Sequence, residues 1–270
     1  MNMYVRTNRH SQRGPRLASV LLCAAALVAA GPPAQAQQDD ARAILKAMSD
    51  YVSGQETIEL TFDSDIEVIT PQLEKIQFTN SGGVLVSRPD KLAAHRVGGY
   101  ADVAMYFDGK TASVLGKHVN GYAQFAAPGT LDQLFAALRA GHGVALPGAD
   151  FLLSNPYAAL SADVMEAKHI GRGVIDGVEC EHLAFRNFDT DWQLWVEVGD
   201  KPIPRKVVIT SKTLNSAPQY TFRVKSWRSG FEPPPNAFTF TPPAGAARLD
   251  PNNLMFLDEL PPEAPTGGSP

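Results

Sequence analysis

Thr57 to Val68 reads TIELTFDSDIEV, and its alternation of apolar and polar residues decides the fold class. Every second residue from Ile58 is apolar, with Ser64 as the exception, so the apolar side chains fall on one face of an extended strand. One apolar face and one polar face are typical of antiparallel sheets. Similar stretches recur along the chain and give about a dozen short predicted strands. This density predicts a mainly β protein, folded as a sandwich or a barrel.

Three stretches change to helical spacing. Asp40 to Val52 is a predicted amphipathic helix with its first residue as N-cap. Thr130 to Ala140 opens with a capping box, and Ala149 to Ala167 is a predicted helical excursion that contains an Asn-Pro helix start. The sequence therefore predicts a β domain over residues 37–248, with a helical insertion at about 130–167.

Glycine-containing turns separate the predicted strands. Asn80 to Gly83 and the pair Asp108-Gly109 are predicted hairpin turns, because glycine accepts the positive φ angle that tight turns require. Residues 249–270 are rich in proline and glycine and form a predicted tail, whose end at Pro261 to Pro270 is predicted to be disordered.

The first 36 residues have the pattern of a secretory signal peptide. Four arginines precede an apolar run from Leu17 to Ala30, and Ala34-Gln35-Ala36 fits the small-x-small cleavage pattern. Cleavage after Ala36 leaves 234 residues outside the cytoplasm. The alternative, acylation at Cys23, is disfavoured because Leu22 precedes it and the apolar run continues beyond it. The sequence thus predicts a periplasmic protein exported through the Sec pathway, without stable membrane insertion.

Charge and cysteine content exclude several classes of protein. Residues 1–36 contain four of the 24 basic residues and none of the 28 acidic ones, which leaves a formal net charge of −8 after cleavage. This charge argues against nucleic acid or an anionic lipid surface as a partner. Cys180 is the one cysteine beyond the signal, so the mature chain has no internal disulfide.

Catalytic motifs find little support in the sequence. The chain has no G-x-S-x-G nucleophile elbow and no phosphate-binding glycine loop followed by a helix. Cys180 and His182 share a strand face, but a zinc site needs three or four ligands. The paired acids Asp189 and Asp191 are typical of a solvated turn. We therefore expect a protein that is not an enzyme and has no cofactor or metal, with a hydrolase as the weakest alternative.

Short motifs resemble those of a known fold. RPDKL (Arg88 to Leu92), DGKT (Asp108 to Thr111) and FTFTPPAG (Phe238 to Gly245) resemble, in order, motifs of the periplasmic lipoprotein carriers LolA and LolB. HLAFR (His182 to Arg186), DWQLWV (Asp191 to Val196) and PRKVVIT (204–210) are similar to a family of predicted periplasmic proteins, domain of unknown function 2092, that is grouped with this fold. The resemblance implies one strongly curved antiparallel sheet, an open β-barrel capped by short helices.

The resemblance also implies a role for Arg88. In the lipoprotein carriers, the arginine of the matching Arg-Pro motif hydrogen-bonds backbone carbonyls of a helical lid and keeps the empty carrier closed. Carried over, Arg88 would latch a lid formed around Ala149 to Ala159. The alternative is an ordinary turn at the end of a strand, since Arg-Pro-Asp is also a turn sequence.

A carrier of this kind would hold a hydrophobic ligand, such as an acyl chain, a lipid or a lipoprotein. The residues expected to line its cavity share the apolar phase of their strands: Leu60, Phe62, Val86, Met105, Trp192 and Leu194. The alternative function is an envelope-stress or protein-interaction sensor that binds peptides or envelope proteins. A carrier needs a closed apolar cavity, whereas a peptide binder needs an exposed groove or sheet edge.

Overall fold

A computed structural model describes residues 34–142 and 148–254. The helices are α1 (Ala34–Ser53), α2 (Leu131–His142) and α3 (Pro156–Ser161), with 3-10 helices at Lys117–Val119 and Ala149–Leu152. The strands are β1 (Thr57–Ile69), β2 (Lys75–Ser87), β3 (Lys91–Gly98), β4 (Asp102–Phe107), β5 (Thr111–Gly116), β6 (Gly121–Ala126), β7 (Glu166–Ile175), β8 (Val178–Arg186), β9 (Thr190–Glu197), β10 (Pro204–Ser211), β11 (Gln219–Ser229) and β12 (Ala247–Arg248).

All twelve strands belong to one sheet, in the order β12-β6-β5-β4-β3-β2-β1-β11-β10-β9-β8-β7. Neighbouring strands are antiparallel, except that β12 runs parallel to β6. The sheet is curved and does not close, so β12 and β7 are its two edges. The predicted fold class, a curved antiparallel sheet forming an open barrel with few helices, is confirmed.

The helices pack on one face of this sheet. Buried side chains of α1, such as Leu45 and Met48, and of α2, such as Leu134, join residues from both halves of the sheet in one hydrophobic core. Ala112 on β5 and Leu183 on β8 belong to the same core although several other strands lie between theirs. The sheet therefore curves around its helices.

The interior of β2 corrects one predicted turn. Asn80 to Gly83 lies within this strand, and the β1–β2 hairpin instead turns at 70–74. Gly82 pairs with Phe62, and a Cβ atom at Gly82 would lie 2.6 Å from the Phe62 ring and 2.3 Å from the His95 carbonyl oxygen. Glycine is required here for close side-chain approach rather than for a turn.

Helix boundaries also differ from those predicted. The first helix begins at Ala34 rather than at an Asp40 N-cap, and α2 continues through Gly141. The excursion 149–167 is shorter than predicted, because β7 already begins at Glu166. The two other predicted caps are confirmed: Thr130 N–H donates to Gln133 Oε1 at 2.8 Å, and Asn155 Oδ1 accepts from Ala158 N–H at 3.0 Å.

The structure describes only part of the predicted signal peptide and part of the predicted tail. Of the predicted signal peptide, residues 1–33 lie outside the described residues, and residues 34–36 form the start of α1. Past residue 248, Leu249 N–H donates to the Tyr122 carbonyl at 2.7 Å and Leu254 is buried. Residues 255–270 lie outside the description, so the predicted disorder of their end stays a prediction.

Candidate ligand cavity

A cavity of about 250 Å³ lies between the sheet and the chain segment that contains the 3-10 helix Ala149–Leu152 and α3. We call these residues the 149–161 segment. Its Phe151 and Leu160 form one wall. The opposite wall comes from strands β9, β10 and β11 and is mainly apolar: Trp192, Val207, Ile209, Tyr220 and Phe222.

Strand alternation produces the sheet wall. Val207 and Ile209 on β10 share a face, as do Tyr220 and Phe222 on β11. The register places Val207 opposite Phe222 and Ile209 opposite Tyr220. On the other side of β10, Trp192 of β9 lies opposite Ile209. Three neighbouring strands therefore present one continuous apolar and aromatic surface.

Polar groups line the rest of the cavity. Asn187 Oδ1 accepts a hydrogen bond from Trp192 Nε1 at 3.2 Å, which fixes the indole against the wall. Asp150 forms an ion pair with Arg139 of α2 at 2.9 Å. Asp163 and Thr190 complete the polar lining. An apolar wall with a few polar groups is the usual composition of a small-molecule site.

Arg88 contacts the 149–161 segment directly. Its Nη1 donates hydrogen bonds to the backbone carbonyls of Leu152, at 2.7 Å, and Leu153, at 3.2 Å. Its Nε donates to the Gln55 carbonyl at 3.2 Å. Burial lowers the pKa of Arg88, while the nearby Asp132 carboxylate raises it in part, and a guanidinium remains protonated in proteins. These are the contacts that the latch hypothesis requires.

Further polar contacts hold the 149–161 segment to α2. Asp132 in the first turn of α2 accepts hydrogen bonds from the Ser154 N–H, at 2.9 Å, and the Ser154 hydroxyl, at 2.5 Å. Together with the Arg139–Asp150 ion pair, they attach the segment at both ends of its 3-10 helix. These polar contacts, which can break and re-form, hold the segment in addition to the burial of its Ala149, Phe151 and Leu152 in the hydrophobic core.

The six residues predicted to line a cavity are brought together, but mostly in the packed core. Trp192 lines the 250 Å³ cavity. Phe62 stacks on the cavity residue Phe222, with ring centroids 4.7 Å apart. The other four belong to the core or pack against it: Leu60, Val86, Met105 and Leu194. Their contact with a ligand stays a prediction.

The cavity residues of β10 and β11 are not among those predicted from the sequence. Their signal was present, because Val207 and Ile209 share the apolar phase of their strand as Leu60 and Phe62 do. Alternation identifies the apolar face of a strand, but not which part of that face the helices leave uncovered. The 149–161 segment leaves this part of β10 and β11 open.

The contacts of Cys180 and His182 indicate structural rather than chemical roles. Cys180 is buried, and burial raises the pKa of its thiol, which disfavours the reactive thiolate. His182 stacks on Trp195 with ring centroids 4.2 Å apart and hydrogen-bonds Gln193 at 2.9 Å. Packing therefore accounts for Cys180, and ring stacking and a hydrogen bond account for His182. Within residues 34–142 and 148–254, no three His, Cys, Asp or Glu side chains are grouped as a metal site would require.

A curved, open antiparallel sheet with helices over one face and a small cavity beneath them defines this chain as a mainly β protein. The sequence matches the family described as "Predicted periplasmic protein (DUF2092)" over residues 41–250. The chain belongs to this family, which confirms the membership predicted from its motifs. No curated protein matches the sequence. None of the described helices has the length and hydrophobicity needed to span a bilayer.

Several solved structures are similar at low sequence identity. An uncharacterised conserved protein from Thermus thermophilus has 9% identity and a TM-score of 0.46, with 78% of this chain and 98% of that chain covered. MucB of Pseudomonas aeruginosa, in its complex with MucA, has 13% identity and a TM-score of 0.42, covering 75% and 61%. A LolA-superfamily protein from Nitrosomonas europaea has 14% identity and a TM-score of 0.31, covering 74% and 97%. None is similar enough to carry a function to this chain.

Proposed function

We propose that this protein binds a hydrophobic small molecule or acyl chain in the cavity under the 149–161 segment. The observation that carries the proposal is the continuous wall of Trp192, Val207, Ile209, Tyr220 and Phe222. Burying apolar surface stabilises a complex by roughly 25 cal/mol per Å², so a ligand that buries about 300 Å² gains on the order of 7 kcal/mol. Ordering costs reduce this gain. We therefore expect micromolar or weaker affinity.

The size of the cavity links binding to movement of the 149–161 segment. Its volume of about 250 Å³ is below the range of about 300 to 1,000 Å³ that is usual for ligand sites. A long acyl chain therefore requires the segment to move away from the sheet. That movement breaks the hydrogen bonds from Arg88 to Leu152 and Leu153, so Arg88 acts as a latch in this proposal.

We place this activity in the periplasm, as the description of the family suggests. The signal sequence supports export and cleavage after Ala36. Cleavage there removes only the first residues of α1, and its buried residues Ala41, Leu45, Met48 and Val52 remain. N-terminal sequencing of the exported protein is expected to give Gln37 as the first residue. A mature protein acylated at Cys23 would contradict this expectation.

A second candidate function is the binding of an extended peptide or partner protein. Its support is the edge strand β7, on which Ile170 and Val174 are exposed. The same strand also carries Lys168 and Arg172, and charged side chains on an edge oppose pairing with another strand. The cavity is therefore the better-supported site.

Displacement of a fluorescent fatty acid tests the proposal. Dansyl-undecanoic acid is expected to bind the wild type saturably and to be displaced by unlabelled fatty acid. Ile209→Glu places an unpaired charge in the apolar wall and is expected to weaken binding by about tenfold or more. Val174→Glu, an exposed position away from the cavity, is the matched control and should leave affinity unchanged.

Two results would contradict the proposal. One is the absence of saturable binding by the wild type. The other is equal weakening by Ile209→Glu and Val174→Glu, which would place the probe outside the cavity. Circular dichroism of each variant verifies that it is folded before binding is measured.

A further inference from the structure

The exposed large apolar residues are concentrated at one end of the sheet. Ten such residues occur in the described parts of the chain, and eight of them lie at this end. Six lie in or beside the connections between strands, and we call them the apolar rim: Leu73, Tyr100, Val119, Met165, Phe188 and Leu214. Phe188 is 85% exposed and Leu73 is 62% exposed, so these side chains project into solvent.

The strand topology places these residues at the same end. Antiparallel neighbours alternate in direction, so the β1–β2, β3–β4 and β5–β6 connections share one end of the sheet. The pair Ile66 and Tyr220 places the start of β11 at that end as well. The remaining register places three more features at this end: the β10–β11 connection, the β8–β9 connection and the start of β7. Five neighbouring hairpins therefore each present one apolar side chain.

The opposite end of the sheet differs. Its turns lie at 88–90, 108–110, 176–177 and 198–203, and none of the exposed large apolar residues lies in them. The two exposed apolar residues outside the rim end, Ile170 and Val174, lie along the edge strand β7. Exposed apolar side chains that collect at one end of a protein indicate an interaction surface.

The charged side chains beside the apolar rim indicate which kind of partner surface the rim can bind. Four basic side chains lie beside the rim, and each lies within 3.8 Å of an acid. They are Lys75, Lys117, Arg186 and Lys212. Basic residues that are paired in this way do not attract an anionic surface. Binding at this end must therefore come from insertion of the apolar side chains themselves.

The spacing of the rim favours a bilayer over a protein. A protein interface buries a continuous apolar core, whereas the rim presents separate side chains on successive hairpin tips with polar groups between them. A fluid lipid surface accepts such separate insertions at the level of its headgroups. The cavity also lies near this end, because Asn187 and Thr190 line it and flank the Phe188 turn.

We propose that the apolar rim docks the protein onto a zwitterionic lipid bilayer, without spanning it. Docking would bring the cavity next to the membrane, the source of an acyl ligand. The inference goes beyond ligand binding and does not depend on it, because the rim is defined by exposure and topology alone.

Flotation with vesicles tests the docking. Protein expressed from the full-length chain and purified without detergent is expected to float with phosphatidylcholine vesicles. Adding anionic phosphatidylglycerol should not strengthen the binding. The double variant Phe188→Ser, Leu214→Ser is expected to bind at least about tenfold more weakly. The matched control Ile170→Ser, Val174→Ser loses two exposed apolar residues away from the rim and should bind as the wild type does.

Depth of insertion gives an independent readout. The tryptophan fluorescence that Phe188→Trp adds to that of the three native tryptophans is expected to be quenched by vesicles that contain brominated lipid, whereas the fluorescence that Val174→Trp adds is not. Failure of the wild type to float would overturn the proposal, as would binding only to anionic vesicles or equal loss in both double variants. Vesicle binding that the double rim variant retains would also overturn it. Fatty-acid displacement in vesicle-free solution is measured separately, so failure of docking is distinguishable from failure of ligand binding.

Discussion

At the scale of single residues, Arg88 couples the end of β2 to the 149–161 segment. Arg88→Leu removes its hydrogen bonds to Leu152 and Leu153, and a buried carbonyl without a partner costs about 1 to 3 kcal/mol. The closed position of the segment is thereby destabilised. Because a long acyl chain binds only when the segment leaves this position, we expect stopped-flow measurements to show binding of dansyl-undecanoic acid accelerated by about tenfold or more, since about 1.4 kcal/mol corresponds to tenfold.

Two further variants make this expectation specific. Arg88→Lys keeps the charge and one donor group, so its binding rate should lie between those of the wild type and Arg88→Leu. Arg228→Leu removes an exposed arginine that pairs with Glu59 at 2.6 Å, and its binding rate should be unchanged. An unchanged rate in Arg88→Leu would show that Arg88 only completes a turn.

Contacts of single residues could be predicted where a sequence motif indicated them. The Arg-Pro motif pointed to contacts between Arg88 and a segment more than sixty residues away, and its guanidinium indeed bonds Leu152. Periodicity carried less information. It assigned Leu60 and Trp192 to the same face correctly, yet Leu60 is covered by the core and Trp192 lines the cavity. Whether a residue on this face is covered depends on where the helices end. The pattern of a strand does not give that information.

At the scale of elements, the β4–β5 turn has a testable pH dependence. Partial burial of Asp108 raises the pKa of its carboxyl, but hydrogen bonds from the Thr111 and Lys110 N–H groups outweigh it, so the pKa lies below its usual value. A lowered pKa stabilises the fold above the usual carboxyl pKa of about 4, and this stabilisation is lost as the pH falls through the folded value. Asp108→Ala should lower the free energy of unfolding by about 1 kcal/mol at pH 7.

Urea unfolding at a series of pH values measures this effect. The difference between the wild type and Asp108→Ala should shrink as the pH falls below about 4, because the protonated wild-type carboxyl accepts these hydrogen bonds less well. Asp200→Ala, an exposed position in another turn, should stay within about 0.5 kcal/mol of the wild type. A difference between wild type and Asp108→Ala that is constant with pH would contradict the assignment.

Elements were predictable where one local signal dominates. The alternation from Thr57 to Val68 predicted strand β1 almost to the residue, since β1 spans Thr57–Ile69. The glycines of β2 misled the prediction because a turn and a close packing contact both select glycine. Only the three-dimensional position of Phe62 over Gly82 separates these two causes.

At the scale of the whole molecule, the number of strands and the motifs predicted one curved antiparallel sheet. The pairing of β1 with β11, which joins the two halves of the sheet, has no local signal because more than 150 residues separate some partners. The placement of all hairpin tips that carry an exposed large apolar residue at one end follows from that pairing. The apolar rim was therefore not visible in the sequence, although each of its residues was.

Ligand binding is expected to stabilise the whole fold. A ligand that binds only the folded state at 100 times its Kd stabilises that state by about 2.7 kcal/mol. For a domain of this size, that corresponds to a rise in Tm on the order of 5 to 10 °C. Thermal unfolding with increasing dansyl-undecanoic acid should show this rise in the wild type and in Val174→Glu, but not in Ile209→Glu. An equal rise in all three proteins would mean that the probe binds outside the cavity, and no rise in any would contradict ligand binding by the folded protein.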